Sequence, residues 1–539
     1  MTAHPVSRTT RRAATAALLT TSFLLTACGS GGGGSDAGGG QARSGGTLTF
    51  AVGSDAGCVD PQQVASNDTI YSVRQIVDSL TDQDPETGRI VPWLAKSWDI
   101  SSDATTFTFH LRSGVTFSDG SKLTAQVVKD NFDAVPKLGA LGTLAEGYLS
   151  GVKSTTVVDP LTVKVTFQQP NAQFLQATST HSLGIESSAS AKKSPQEKCS
   201  QGVVGSGPFV LKQYVQNQSI TLVKRTGYAW GSPRWTKSGE AYLDKVVFKV
   251  VPEAGVRAGS LQSGQVDAIS SVGKANEAAL KGGQVTLQRR ANPGVVFGLA
   301  FNNSRPVLKD ARVRQAIGFA IDRKQITDTV FPTGTRPATS VLAHTTPDYA
   351  DLSSDLTTDA TKAKSLLDAA GWKVGSDGIR TKDGKKLSLA VDWIPNSATN
   401  QPALELIQQQ LKAVGVGLTL KQLQVTQLAP TLQSGDYDAA WSNVTRADPD
   451  ILRSSFSTKL ANFYRLPATP LDTALTGQAA TTDTTRRGQL VEQAQQLIVR
   501  NAYDVPVVEL QTQIGVAKKV HNLNFDASSR IQLHDTWIG

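Results

Sequence analysis

The chain has 539 residues, with 54 Lys and Arg against 45 Asp and Glu, three Cys, one Met and 47 Gly. This length leaves room for two to four domains, and 39% apolar with 18% charged residues argues against both a disordered and a membrane-embedded chain. No run of 18 apolar residues occurs, which excludes a transmembrane helix, and three Cys without a C-x-x-C pair argue against a structural zinc site or a thioredoxin-like redox motif.

Arg8, Arg11 and Arg12 form a basic leader, Ala13 to Leu25 an apolar stretch, and Leu25-Thr26-Ala27-Cys28 a lipobox. The pattern predicts removal of residues 1–27 and a diacylglycerol on the Cys28 thiol, anchoring the protein to the outer face of a bacterial membrane. An ordinary signal peptide that happens to contain a cysteine is the alternative, and Arg11-Arg12 leaves Sec and twin-arginine export both open. The leader holds three Arg and no acid, so its loss lowers the formal charge from +9 to +6. The remaining cations are scattered pairs such as Lys192-Lys193 and Arg486-Arg487. Nucleic-acid binding needs a basic stripe or helix, so a solvated surface is expected and no nucleic-acid partner. Residues 28–46 read as the lipidated Cys followed by a Gly/Ser tether, with a random-coil span of roughly 20–25 Å. Its formal G-x-G-x-x-G match, Gly29 to Gly34, has no strand before it and no helix after it and carries no dinucleotide reading.

Strand signals follow. Thr47 to Val52 begins the globular body. Phe107, Phe109 and Leu111, then Leu161, Val163, Val165 and Phe167, alternate with polar residues as half-buried strands do. Val246 to Val251 is more continuous and predicts a deeply buried strand. Val313, Ala316, Ile317, Ala320 and Ile321 mark one face of a helix. Pro402 stands at a plausible first helical position before Leu404, Ile407, Leu411 and Val414, and Leu490, Ala494, Leu497 and Ile498 mark a later helix. The mixture predicts an α/β protein of several lobes.

No catalytic constellation is found. The six His form neither H-E-x-x-H nor an i, i+4 pair, and no G-x-S-x-G elbow or phosphate loop is present. Asp436, Asp438, Asp448 and Asp450 are read as loop residues and caps in preference to catalytic carboxylates. The expectation is no enzyme, no cofactor and no metal site. If Cys28 is lipidated, Cys58 and Cys199 remain, either as a disulfide or as two buried thiols.

Several blocks share one resemblance. They are Pro92 to Ser101 with Phe107 to Gly120, Gly205-Ser206-Gly207-Pro208-Phe209, Tyr242 to Val246, Leu261 to Asp267, Phe301-Asn302-Asn303, Asp310 to Arg323, Asp436-Tyr437-Asp438 with Trp441, and Asp448-Pro449-Asp450. Together they resemble the family 5 extracellular solute-binding proteins, the peptide, nickel and oligopeptide receptors of ABC importers. The resemblance implies a periplasmic-binding-protein type II-like α/β fold, two lobes with a hinge plus a subdomain inserted in the first lobe. Mapped here, the first lobe is discontinuous over 47–84, 200–293 and 514–539, the insert is 85–199 and the second lobe 294–513. Cys58 and Cys199 then both fall at the edge of the first lobe, in favour of the disulfide.

The resemblance also implies a function: a monomeric receptor that takes a small-molecule or peptide ligand into the cleft and hands it to ABC permease subunits. Peptide receptors of the family hold a ligand ammonium with an Asp three residues after a tryptophan. Here the tryptophan is Trp441 and that position is Val444, so either Asp448 takes the role or the ligand has no ammonium there. Arg446 is a candidate to grip a carboxylate, or else a structural partner of Asp448 or Asp450. Ser442 and Asn443 belong to the same segment. Trp441 offers a stacking platform or core packing. Asn396 and Ser397 with neighbouring Trp393, and Asn67 with Tyr71, stand where the family places ligand contacts. An oligopeptide or peptide-like metabolite is the leading ligand class. An oligosaccharide, a metal chelate or an acidic metabolite is the alternative, as is a surface sensor.

Overall fold

Alternation in the sequence becomes strand in the structure. In the computed structural model, which describes residues 41–539, Thr106–Leu111 and Thr162–Phe167 pair antiparallel, with Phe107 facing Val165 and Phe109 facing Val163. They are the middle of a four-stranded sheet completed by Ala95–Ile100 and Val152–Asp159. Burial alternates along both because Phe107, Phe109, Val163 and Val165 turn to one core, where Phe174 packs edge-on against Phe107 and Phe109. The leader, the lipobox at Cys28 and most of the tether lie outside the described residues. Among the described residues no helix is long and apolar enough to cross a membrane.

Two larger sheets carry the rest. A seven-stranded mixed sheet runs in the order Val285–Ala291, Gln511–Ala517, Ala268–Ile269, Thr47–Val52, Lys245–Val250, Ser219–Lys224, Phe209–Val215. A five-stranded sheet runs Gly417–Gln422, Ser388–Trp393, Ala439–Thr445, Gly294–Phe301, Asp504–Val508. Each has its own core, Phe50, Phe209 and Phe248 in the first, and Phe301, Ile317 and Trp441 in the second. The fold is therefore α/β with two lobes. Lys245–Val250 departs from the expected deep burial: Val246 and Phe248 are buried, but Val247 is half-buried and Lys249 exposed. The strand is central, yet only one of its faces meets the core, so an unbroken apolar run marks a half-covered strand here.

The helices follow their apolar faces. Ala311–Ala320 buries Val313, Ala316, Ile317 and Ala320, and Asp310 caps it by accepting from the Arg312 N–H. The Pro402 helix begins earlier than its proline suggests, at Asn400, and ends at Lys412. Pro402 is then its third residue, still inside the first turn, where no N–H is required. Thr484–Arg500 buries Leu490, Ala494 and Ile498.

Two adjacent crossings join the large sheets. Val285–Ala291 runs on into Gly294–Phe301, and Asp504–Val508 returns into Gln511–Ala517. The crossings stay paired: Ala291 faces Gln511, the Asn292 N–H donates to the Leu510 carbonyl at 2.8 Å, and Phe297 faces Val508. Gly294 has φ +107°, and a Cβ there would stand 2.2 Å from the Val444 carbonyl oxygen. Only glycine fits that backbone.

Cys58 and Cys199 form a disulfide across 141 positions, tying the start of the chain to the helix Pro195–Gln201. Beside it Lys198, 1% exposed, points its ammonium at two buried carboxylates, Asp60 at 3.0 Å and Glu186 at 2.9 Å, and donates to Gln62 Oε1 at 3.1 Å. One buried cation compensates one carboxylate fully, not two. Burial, then the neighbouring Asp60 charge, pushes the Glu186 carboxyl up from 4.5 to about 8.

Two outcomes follow. Between about pH 4.5 and about 8 the native state keeps a proton on Glu186 that the unfolded chain has lost. Its stabilising contribution is thus complete below pH 4.5 and fades as pH rises to 8, by at most ~1.4 kcal/mol per pH unit. Denaturant unfolding across this range should show that decline, and Glu186→Gln should make it shallower without abolishing it, because burial also raises the Asp78 and Asp504 carboxyls to about 7; an unchanged slope in the variant would refute the assignment. Separately, a Cys58→Ser/Cys199→Ser variant should lose up to ~5 kcal/mol of unfolding free energy through the long loop released, read as a lower urea midpoint than that of the oxidised protein.

Candidate ligand-binding site

The residues nominated from the sequence fall into three groups around the paired crossings. The first lies on the helix Asn67–Val73 beside the seven-stranded sheet. Asn67 is half-buried and its Oδ1 accepts from Arg530 Nε at 3.3 Å. Tyr71, one turn on, is 3% exposed with its ring 5.9 Å from Phe50. Burial, then the Asp68 charge, raises the phenol pKa well above its usual range, so the hydroxyl stays protonated.

The second group closes the five-stranded sheet. Trp393 ends its strand 5% exposed, and its Nε1 has no partner. In the loop that follows, Asn396 is exposed and Ser397 Oγ lies 2.8 Å from Thr399 Oγ1. Asn400 organises the loop: its Nδ2 donates to Ile394 O at 3.0 Å and Asn396 Oδ1 at 2.8 Å, while its Oδ1 accepts from Trp441 Nε1 at 3.2 Å. Trp441 is 1% exposed and stacks on Phe297 at 5.1 Å, so in this conformation its indole is packed in the second-lobe core.

Ser442 and Asn443 continue the same strand half-buried, and Val444, at 39%, is exposed. The Arg446 N–H donates to Pro293 O at 3.1 Å, which fixes this strand end to the crossing. The Arg446 guanidinium lies 4.5 Å over the ring of Tyr148, on the helix Thr143–Leu149, and its Nε is sealed without a partner. Asp448 stands apart from these groups. Arg487 grips it through two bonds of 2.5 and 3.1 Å, and it also accepts the Asp450 N–H at 2.8 Å. Asp450 in turn is held by Arg453 at 2.7 and 2.8 Å. Among the described residues, then, neither aspartate is the partner of Arg446.

Contacts across the two sheets' layers are few and specific. Gln83 Nε2 donates to Ala447 O at 3.1 Å, the Ala172 N–H donates to Ala479 O at 2.9 Å, and Glu277 accepts from the Thr333 N–H and hydroxyl at 3.0 and 2.5 Å. Among the described residues no cluster of three or more His, Cys, Asp or Glu is arranged to hold a metal ion. Two cavities lie away from the nominated residues. One, of about 370 Å³, is bounded by Asp82, Arg234, Arg290 and His534. The other, of about 280 Å³, is bounded by Phe319, Arg323, Lys362 and Val505.

Sequence reasoning missed Asn400, Arg487, Tyr148 and Arg530. An Asn in the first turn of a helix was a usable signal for Asn400. The Arg530–Asn67 contact spans 463 positions and left none.

The comparisons agree with this architecture. The model for bacterial extracellular solute-binding proteins, family 5 Middle, matches residues 89–461. The chain is 26% identical over 497 residues to a probable D,D-dipeptide-binding periplasmic protein of Escherichia coli K12, covering 89% of this chain and 91% of that one. It is 27% identical to heme-binding protein A of Haemophilus influenzae, covering 81% and 82%. Among solved structures, NikA from Brucella suis in complex with Fe(III)-EDTA superposes with a TM-score of 0.79 at 23% identity, over 92% of this chain and all of that one. The oligopeptide-binding protein AppA from Bacillus subtilis, bound to a nonapeptide, gives 0.75 at 21% identity, over 93% and 100%. Proteins of this kind bind a solute for an ABC importer outside the cytoplasm and catalyse nothing, and this chain belongs to the bacterial extracellular solute-binding proteins of family 5.

Proposed function

We propose that this protein is a lipid-anchored receptor that captures an oligopeptide or peptide-like metabolite between its lobes and delivers it to the permease of an ABC importer. The observation that carries the reading is the pair of crossings. Two paired strands connect separately cored sheets, and nominated residues stand on both sides of them, Asn67 and Tyr71 on one and Trp393 to Ser397 with Trp441 to Arg446 on the other. Bending of such a ribbon brings two walls together without unfolding either. The lobes proposed are 47–84, 200–293 and 514–539 against 294–513, with 85–199 as the insert. Peptides lead the ligand classes because relatives with printed peptide ligands cover most of the chain. Val444 favours a second reading, a non-peptide or acidic solute, since it offers no carboxylate to an ammonium.

Native mass spectrometry of the purified protein is the direct test: a retained solute whose fragments are amino acids is expected, and a retained sugar or metal chelate would displace the peptide reading. A binding pool at 100 times its dissociation constant should add about 2.7 kcal/mol of stability. Membrane fractionation tests the anchor. Cys28→Ala should release the protein from the membrane fraction, and a variant that stays bound would remove the lipidation proposal.

A further inference from the structure

Arg530 lies in the C-terminal hairpin, in the turn between Asn524–Phe525 and Ile531–Gln532. It is 7% exposed. A guanidinium has five N–H donors, and the buried arginines here differ in how many they use: Arg257 donates from Nη1 alone, to Val251 O and Pro252 O, while others spend several. Arg314 donates to the carbonyls of Leu308, Lys309, Asn501 and Ala502, and Arg323 to those of Gly318, Ile321, Leu356 and Pro506. Arg530 uses one, Nε to Asn67 Oδ1. Among the described residues Nη1 and Nη2 have no hydrogen-bond or ion-pair partner.

The nearby carboxylates are committed elsewhere. Asp526 accepts the N–H groups of Ser528 and Arg530 at 2.8 and 2.9 Å, closing the turn. Asp68 accepts the N–H groups of Gly53 and Ser54 at 2.9 and 3.0 Å. Tyr71 stays a neutral phenol beside it, and His181 is held neutral by burial and by the charges of Arg530 and Arg74. Arg530, 7% exposed, thus presents its two-nitrogen edge with no protein partner among the described residues, beside carboxylates whose hydrogen bonds go to backbone N–H groups, and an anion in plane with the fork would complete it.

We infer that Arg530 is the anion anchor of the first wall of the cleft, gripping a carboxylate of the ligand through Nη1 and Nη2 while Asn67 holds Nε and sets the plane of the fork. The inference rests on the receptor reading above and narrows it: the solute carries a carboxylate, and its place is at the helix Asn67–Val73. A planar guanidinium binds a planar carboxylate through two parallel bonds, which gives orientation as well as affinity.

The test uses the full-length protein and two pools of tri- to pentapeptides, identical except that one has free carboxy termini and the other is amidated. By calorimetry the wild type should bind the acids at least ~10-fold more tightly than the amides. Arg530→Gln should bind both alike, and Arg530→Lys, which keeps the charge but not the fork, should fall between. Equal binding of acids and amides by the wild type overturns the inference and leaves the receptor reading standing, as does an acid preference that persists in a folded Arg530→Gln. The wild-type comparison decides even if a variant fails to fold. If neither pool binds, native mass spectrometry decides: a co-purified solute bearing a carboxylate supports the anchor, and one without overturns it. If neither pool binds and no solute co-purifies, the carboxylate anchor and the peptide ligand class fall together, while the family assignment stands.

Discussion

Everything that could act in this molecule is placed by the pairing of two strands as they pass from one sheet to the other. Ala291 faces Gln511 before the passage, the Asn292 N–H meets the Leu510 carbonyl within it, and Phe297 faces Val508 after it. A single crossing would let the lobes swivel. Two that remain hydrogen-bonded resist twist and leave bending as the soft coordinate. The close approach at Gly294 then links that coordinate to the site, because the backbone there touches the Val444 carbonyl and the Arg446 N–H is tied to Pro293. Through these two contacts a change of angle at the crossing would be transmitted to the strand end that carries Ser442 to Arg446.

The four-stranded layer is held to the seven-stranded sheet by a different kind of force. Its attachment buries Lys198 with Asp60 and Glu186, a cluster whose stabilising value depends on how many protons it holds, and locks the same corner with a disulfide. Hydrophobic packing alone would tolerate sliding. A buried ammonium with specific acceptors does not, since any shift leaves a charge unpaired in a dry site. The reach of Arg446 to Tyr148 and of Gln83 to Ala447 makes this layer a contact partner of the second sheet as well. Rigid attachment on one side therefore matters for what happens at the other.

What the sequence made legible was local. The alternation at Phe107 to Leu111, the 3.6-residue face of Ala311–Ala320 and the family blocks gave the fold class, because each depends on residues close together in the chain. Lys245–Val250 misled, because continuous apolar character reports composition and not how many faces are covered. Of the candidate site, the segments around Asn67, Trp393 and Trp441 were visible. The bonds that define their chemistry were not: Asn400 to Trp441 spans 41 positions, Arg487 to Asp448 39, and Arg530 to Asn67 463. Pairings over such distances exist only after the chain has folded, and a single sequence holds no record of them.

The charge balance around the crossings has a direction. Asp448 and Asp450, the acids nearest to Trp441 on its C-terminal side, are bound by Arg487 and Arg453 and offer nothing to a visitor. Val444 presents a hydrocarbon surface. Arg446 on the second sheet's strand end and Arg530 on the hairpin behind Asn67 are both without a carboxylate partner among the described residues. The first is sheltered by the face of Tyr148, whose π electrons stabilise a cation without neutralising it. The second has no such shelter. Water can solvate it while the walls stand apart, but closing expels that water and strengthens every remaining field. A ligand that brings a negative group removes the cost at the moment of closure, and one that does not must leave the cation wet or the cleft ajar. Selection of the solute and completion of the hinge motion are, on this argument, one electrostatic event.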